Sequence, residues 1–169
     1  MNTYKTTQKL TMSALFAALA LIFSYIEVII PFNPGIPGIK LGIANLVIII
    51  ALYYLGPRYA LTVNLVRILI AGLLFNGLFG AIYSLAGAAL SLIVMILLKK
   101  TGLFSVTGVS MAGGVAHNLG QLLVAAFIVS NIKVFVYFPV LLFSGMICGT
   151  VIGCLSYLIL RKLPDRSIS

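Results

Sequence analysis

The sequence predicts an all-α integral membrane protein, one domain of six transmembrane helices with both termini in the cytoplasm. Three observations carry that expectation. Hydrophobic residues make up 62% of the chain and charged residues 8%, against about 25% charged in a soluble domain. Six apolar segments approach the ~20 residues that cross a bilayer. The cations between those segments alternate in density from one side to the other, the pattern that fixes membrane orientation.

The segments run Leu10–Ile30, Leu41–Leu55, Tyr59–Leu74, Leu78–Leu98, Val106–Val129 and Val134–Leu160. The first is longer than the apolar core of a signal peptide and lacks a clear cleavage site, so it reads as a retained span. It leads into PFNPGIPGIK (Pro31–Lys40), whose three prolines and two glycines forbid helix. That stretch is either a plain external loop or a lid over an outward-facing pocket. The second and third segments are short and meet at Gly56-Pro57. Proline disfavours helix at the residue before it, so a tight turn is expected there. A single kinked helix would instead give five spans and put the termini on opposite sides. The third and fourth segments meet at LFNGLFG, and the fourth and fifth at KKTGLFS.

Charge supports the six-span reading. With the N-terminus inside, the cytoplasmic set is Lys5, Lys9, Arg58, Lys99, Lys100, Arg161, Lys162 and Arg166, and the outer set is Lys40 and Lys133. The formal net charge of +9 therefore reports orientation in a membrane. It does not report nucleic acid, since no basic stripe with interleaved aromatics exists outside the apolar runs.

The remaining cation, Arg67, sits inside VNLVRILIAG. A charge at bilayer depth costs about 2.5–3.5 kcal/mol on insertion scales, and arginine keeps its charge, so it needs an anion, carbonyls or water. The one acid within a span is Glu27. Either the two pair internally, or Glu27 is taken by Lys40 and Arg67 is left to hold an anionic ligand. In the second case Arg67→Ala abolishes binding and leaves folding intact. Asn64, one turn before Arg67, shares its helix face. Asn45 lies near the outer end of the second span, and AHNLGQ places His117, Asn118 and Gln121 on the fifth; Tyr25, Asn76 and Tyr83 fall toward outer ends or turns. Such groups avoid lipid and face the bundle interior. They form either a hydrogen-bond network that holds helices together or an outer-half ligand cavity. The candidate substrate residues are Arg67, Asn64, Asn45, His117, Asn118, Gln121, Glu27, Lys40 and Tyr83.

Small residues form a second pattern. Gly145, Gly149 and Gly153 make two consecutive G-x-x-x-G steps, and Ala14 and Ala18 an A-x-x-x-A step. Both spacings allow close helix approach, within the chain or to another protein. Cys148 and Cys154 lie on different faces of one helix and cannot bond to each other. Catalysis is poorly supplied: the chain has no paired carboxylates, phosphate-binding loop or Cys/His metal cluster, and its one aspartate, Asp165, lies in the tail. The chain is therefore not expected to be an enzyme, to hold a metal or to hydrolyse ATP. Active transport would draw its energy from another subunit.

The runs GIKLGIANLVIIIAL, RILIAGLLF, YSLAGAALSLIVM, GVSMAGGVAHNLGQL, FPVLLFSGMICGTVIG and LRKLP, together spanning about Thr11 to Pro164, resemble the bacterial Gx transporter family. Its members are also labelled heptaprenyl diphosphate synthase component I. The resemblance implies kinship with the substrate-binding S components of energy-coupling factor (ECF) transporters. Those are six-helix proteins that capture micronutrients from outside and are driven by a transmembrane coupling subunit and two ATPases. It implies that Ala14 and Ala18 dock the coupling subunit, that Pro31–Lys40 acts as a lid, and that no cofactor resides in the chain. Gene neighbourhoods in the family suggest a flavin, an isoprenoid precursor or a quinone-linked role. Two rival readings are a membrane subunit of a flavin- or quinone-linked electron-transfer assembly and a solitary homo-oligomeric transporter joined through the glycines of the sixth span.

Overall fold

The computed structural model describes residues 2–30 and 42–163. These form six α-helices: α1 (Asn2–Ile29), α2 (Ile43–Tyr54), α3 (Pro57–Ala71), α4 (Gly77–Thr101), α5 (Val106–Val129) and α6 (Phe138–Leu160). A π-helical turn, Gly72–Asn76, leads into α4, and a 3-10 turn, Ile132–Tyr137, leads into α6. Among the described residues four helical stretches are long and apolar enough to cross a membrane: Thr6–Ile29, Pro57–Thr101, Val106–Val129 and Ile132–Leu160. The chain is thus a multi-pass membrane protein. Among the described residues its outer surface carries many apolar side chains, with Leu15, Ile22, Leu69, Ile93, Phe127 and Ile147 all exposed.

The stretch Pro57–Thr101 holds two helices. Gly77, with a φ of 66°, breaks the helical path. A Cβ placed on Gly72 would stand 2.7 Å from the Cβ of Ala81. In one straight helix those positions would be about 13 Å apart, so the chain turns back and α4 lies along α3. The Gly56-Pro57 turn is also present: Gly56 has a φ of 100° and Pro57 occupies the first turn of α3, where its missing N–H costs nothing.

Element ends differ from the hydropathy boundaries for identifiable reasons. The first helix starts at Asn2 rather than Leu10, because apolarity marks the bilayer and not the helix, and polar residues continue the turn. The sixth starts at Phe138 rather than Val134. Pro139 sits in its first turn, and Asn131 accepts the Lys133 N–H at 2.9 Å to shape the 3-10 segment before it. The fifth runs over Val106–Val129, opened by Ser105, whose Oγ accepts the Gly108 N–H at 3.2 Å as an N-cap does.

The second helix is the buried one. It has 12 residues, about 18 Å against a hydrocarbon core of about 30 Å, and Val47, Ile48, Ile49, Ala51 and Leu52 are almost wholly enclosed. Both of its ends are met by ionisable side chains from other helices. Glu27 of α1 accepts the Ile43 N–H at 2.6 Å, and Lys99 of α4 donates to the Leu52 carbonyl at 2.7 Å. A carboxylate at the N-terminus and an ammonium at the C-terminus both favour the helix dipole. Lys99 also lies 4.6 Å from the centre of the Tyr53 ring, a cation–π distance.

The glycine repeat of α6 is spent inside the chain. A Cβ on Gly145, Gly149 or Gly153 would stand 2.9, 2.7 or 2.6 Å from the backbone of Val115, Met111 or Thr107 on α5. The face that a homo-oligomer would use is therefore covered. Around α2 a hydrophobic cluster that includes Phe16, Ala20, Leu55, Ala60, Val63, Leu92 and Val109 fills the half of the bundle nearer Arg58 and Lys99.

Replacing Gly149 by valine should destabilise the protein by about 1–3 kcal/mol or more, because overpacking shifts backbone. Thermal unfolding in detergent should show a lower midpoint for Gly149→Val. Gly108→Ala, within α5 where a Cβ would meet nothing nearer than 3.6 Å, controls for a glycine change that crowds nothing.

Candidate functional site

Arg67 is 8% exposed and is held from two sides. Its Nε and Nη2 donate to Asn64 Oδ1 at 3.2 and 2.8 Å, and its Nη1 donates to Ser24 Oγ at 3.2 Å. Ser24 passes its own proton to the Ala20 carbonyl at 2.9 Å, which leaves its lone pairs for the guanidinium. Glu27, one turn further along α1, acts on the same cation through its charge. The i, i+3 spacing of Asn64 and Arg67 brings the two together on one face. The result is a buried polar node tying α1 to α3, with Glu27 carrying it on to the start of α2.

The node borders a cavity. Among the described residues its walls come from all six α-helices, among them Ser24 and Glu27 of α1, Asn45 and Ile49 of α2, Arg67 of α3, and Ser91 and Met95 of α4. The fifth helix contributes Ser110, His117, Asn118 and Gln121, and α6 contributes Ser144 and Cys148. From Gln121 to Ser110 is about 16 Å along α5, so the cavity is deep and narrow rather than confined to the outer half. Its volume is about 80 Å³, room for roughly five waters or a compact polar solute. Val28, Gly42 and Asn76, at the ends of α1 and the starts of α2 and α4, mark its upper rim. At the other end Met95 is both cavity wall and member of the hydrophobic cluster, which closes the floor.

Of the residues singled out by sequence, Arg67, Asn45, His117, Asn118, Gln121 and Glu27 line this one cavity. Asn64 lies behind it and holds Arg67 instead. Tyr83 is not among the lining residues; its place is taken by the neighbouring Ser84. Lys40 and the whole Pro31–Lys40 stretch, and with it the expected lid, lie outside the described residues. Asn118 is partly committed, since its Nδ2 donates to the Leu141 carbonyl at 2.7 Å and joins α5 to α6. His117 owes its position to Gly87 of α4, where a Cβ would come within 2.9 Å of its ring. Sequence reasoning passed over Ser24, Ser91, Ser110 and Ser144, because serine is inexpensive in an apolar helix and carries no signal alone. Ala14 and Ala18 are both exposed on the outer face of α1.

A family model described as heptaprenyl diphosphate synthase component I matches residues 16–159. No curated protein and no solved structure matches the chain.

Because Arg67 is bonded within the chain, its loss should damage folding as well as binding. Arg67→Leu removes the partner of Asn64 and leaves the charge of Glu27 uncompensated, a change expected to cost roughly 3 kcal/mol. Adding Glu27→Gln should recover part of that loss. A double-mutant cycle on unfolding midpoints checks it. Equal and additive losses would place the two residues in separate environments.

Proposed function

The chain belongs to the heptaprenyl diphosphate synthase component I family, and from that membership and the cavity's geometry we propose that it is the substrate-binding membrane subunit of an ECF-type transporter. It captures a small polar metabolite from outside a bacterial cell, and partner ATPases supply the energy for uptake. The observation that carries this reading is a cavity with one open end, polar along its walls and sealed below by hydrophobic packing. Binding sites in helical membrane proteins have this form, with polar groups turned to the interior and away from lipid.

Charge gives the orientation. Arg58, Lys99, Lys100, Arg161 and Lys162 all lie at the sealed end, and cations mark the cytoplasmic side. The rim at Val28, Gly42 and Asn76 then faces outward. In this arrangement all six helices count as spans and both termini are cytoplasmic. The short α2 crosses only in company, with its two ends bonded by α1 and α4 within the protein. A lipid-exposed helix end would leave backbone groups unsatisfied.

The role asks for no catalysis in this chain, although the family's description names a synthase component. It does ask for a coupling surface. The exposed Ala14 and Ala18 leave a shallow, side-chain-poor strip on α1, where a partner helix can approach closely.

Affinity purification of the tagged chain from its native membranes should bring down a coupling subunit and two ATPases. Ala14→Leu/Ala18→Leu should remove those partners while leaving the unfolding midpoint unchanged. A flavoprotein in place of the ATPases would contradict the transporter reading.

A further inference from the structure

Three buried polar groups face the cavity and make no hydrogen bond among the described residues. Ser91 is 4% exposed, Ser110 5% and Gln121 9%, and all three line the cavity. Their side chains are absent from the hydrogen bonds that tie the rest of the site together. Their polar atoms reach the space of the cavity, where a water or a ligand can meet them.

Their placement is orderly. Ser110 and Gln121 are eleven positions apart on α5, three turns, so they point from one face of one helix. Ser91 approaches the same face from α4, its Oγ 3.3 Å from where a Cβ on Gly113 would stand. The absence of side chains at Gly113 and Gly87 lets α4 and α5 pack closely, with Met95 filling the space at the first and His117 and Gln121 at the second. A glutamine amide presents a donor and an acceptor side by side, and a serine hydroxyl serves as either.

The two full charges on the same walls are in the opposite condition. Arg67 is bonded to Asn64 and Ser24, and Glu27 to the start of α2. Arg67 and Glu27 also offset each other, so these side chains give the wall a net charge of zero. Among the described residues, Arg67 is the one lysine or arginine that lines the cavity, and it is already met within the chain. An anionic ligand would carry an uncompensated charge into a low-dielectric cleft, which is costly.

We infer that the cavity takes a compact, net-neutral solute with adjacent hydrogen-bond donor and acceptor groups of the amide, lactam or urea kind. Gln121 reads that edge, and Ser91 and Ser110 hold the deeper end. The inference rests on the binding-subunit reading above and narrows its substrate class. It also moves recognition from Arg67 to neutral side chains, with the Arg67 node acting as the frame that holds α1, α2 and α3 around the ligand.

The test uses the full chain in lipid nanodiscs and two matched probe pairs, uracil with orotate and nicotinamide with nicotinate. Each pair sets a neutral amide-type edge against a carboxylate analogue. Saturable binding is read by isothermal calorimetry and by the shift in unfolding midpoint. The neutral member of at least one pair should bind, with its carboxylate analogue about tenfold weaker or more. Gln121→Leu should weaken that binding about tenfold or more. Ser91→Ala/Ser110→Ala, which barely changes volume, should do the same and stands in if the glutamine variant does not fold. Carboxylates binding as tightly as their neutral partners, no saturable binding by either neutral probe, or binding indifferent to both variants would overturn the inference. Tight carboxylate binding would leave the binding-subunit reading intact, since that reading falls only with the partner ATPases.

Discussion

A helix too short to cross a bilayer, set in the middle of a membrane protein, has to have its ends satisfied by the protein itself. The fold is organised around that constraint. The 12 residues of α2 end well inside the thickness that the longer helices span. Glu27 meets its first N–H and Lys99 the Leu52 carbonyl in its last turn. Each contact joins α2 to a different helix, so the capping of α2 also fixes where α1 and α4 stand. The side chains that would be most expensive in lipid are thereby used to hold the bundle.

The cavity follows from the same arrangement. Because α2 stops short, its start opens into space bordered by α1, α4, α5 and α6, while its end is wrapped in the hydrophobic cluster. Glu27 sits at that start and, through its charge, steadies Arg67, which in turn draws Asn64 and Ser24 around itself. On the far side, the glycines of α5 and α6 let two backbones touch, leaving a thin polar cleft rather than a wide chamber. A bulky flavin or prenyl chain is much larger than the space of about 80 Å³, whereas a compact polar solute is of its scale.

Much of this was legible in the sequence where a residue type carries an unavoidable cost. Arg67 in an apolar run demands partners, and six of the nine substrate candidates do border one cavity. The turn at Gly56-Pro57 follows from proline geometry, and the fifth helix keeps the bounds of its apolar segment, Val106–Val129. Other features depend on contacts that no local pattern encodes. The bond from Glu27 to Ile43 joins residues 16 apart, across a segment rich in proline and glycine. The direction of Asn64 toward Arg67 rather than toward the cavity is a choice of rotamer. The serines were invisible because a hydroxyl in an apolar helix can bond its own preceding turn, as Ser24 does. Tyr83 does not line the cavity, and a position near a helix end does not say which way the ring faces. The three spacings of the two small-residue motifs looked alike in kind, yet the glycine motif is buried against α5 and the alanine motif is exposed on α1.

The central claim is that the cleft opens at one end only, away from the basic face. Cys148 lines it, and Cys154, near Thr107 at 4.0 Å, lies outside it. In a Cys154→Ser background, Cys148 is then the one thiol in the chain. A small, membrane-impermeant methanethiosulfonate reagent should modify it in right-side-out vesicles and leave it untouched in inside-out vesicles. Modification from the side bearing Lys99 and Arg161, or from neither side, would contradict the account.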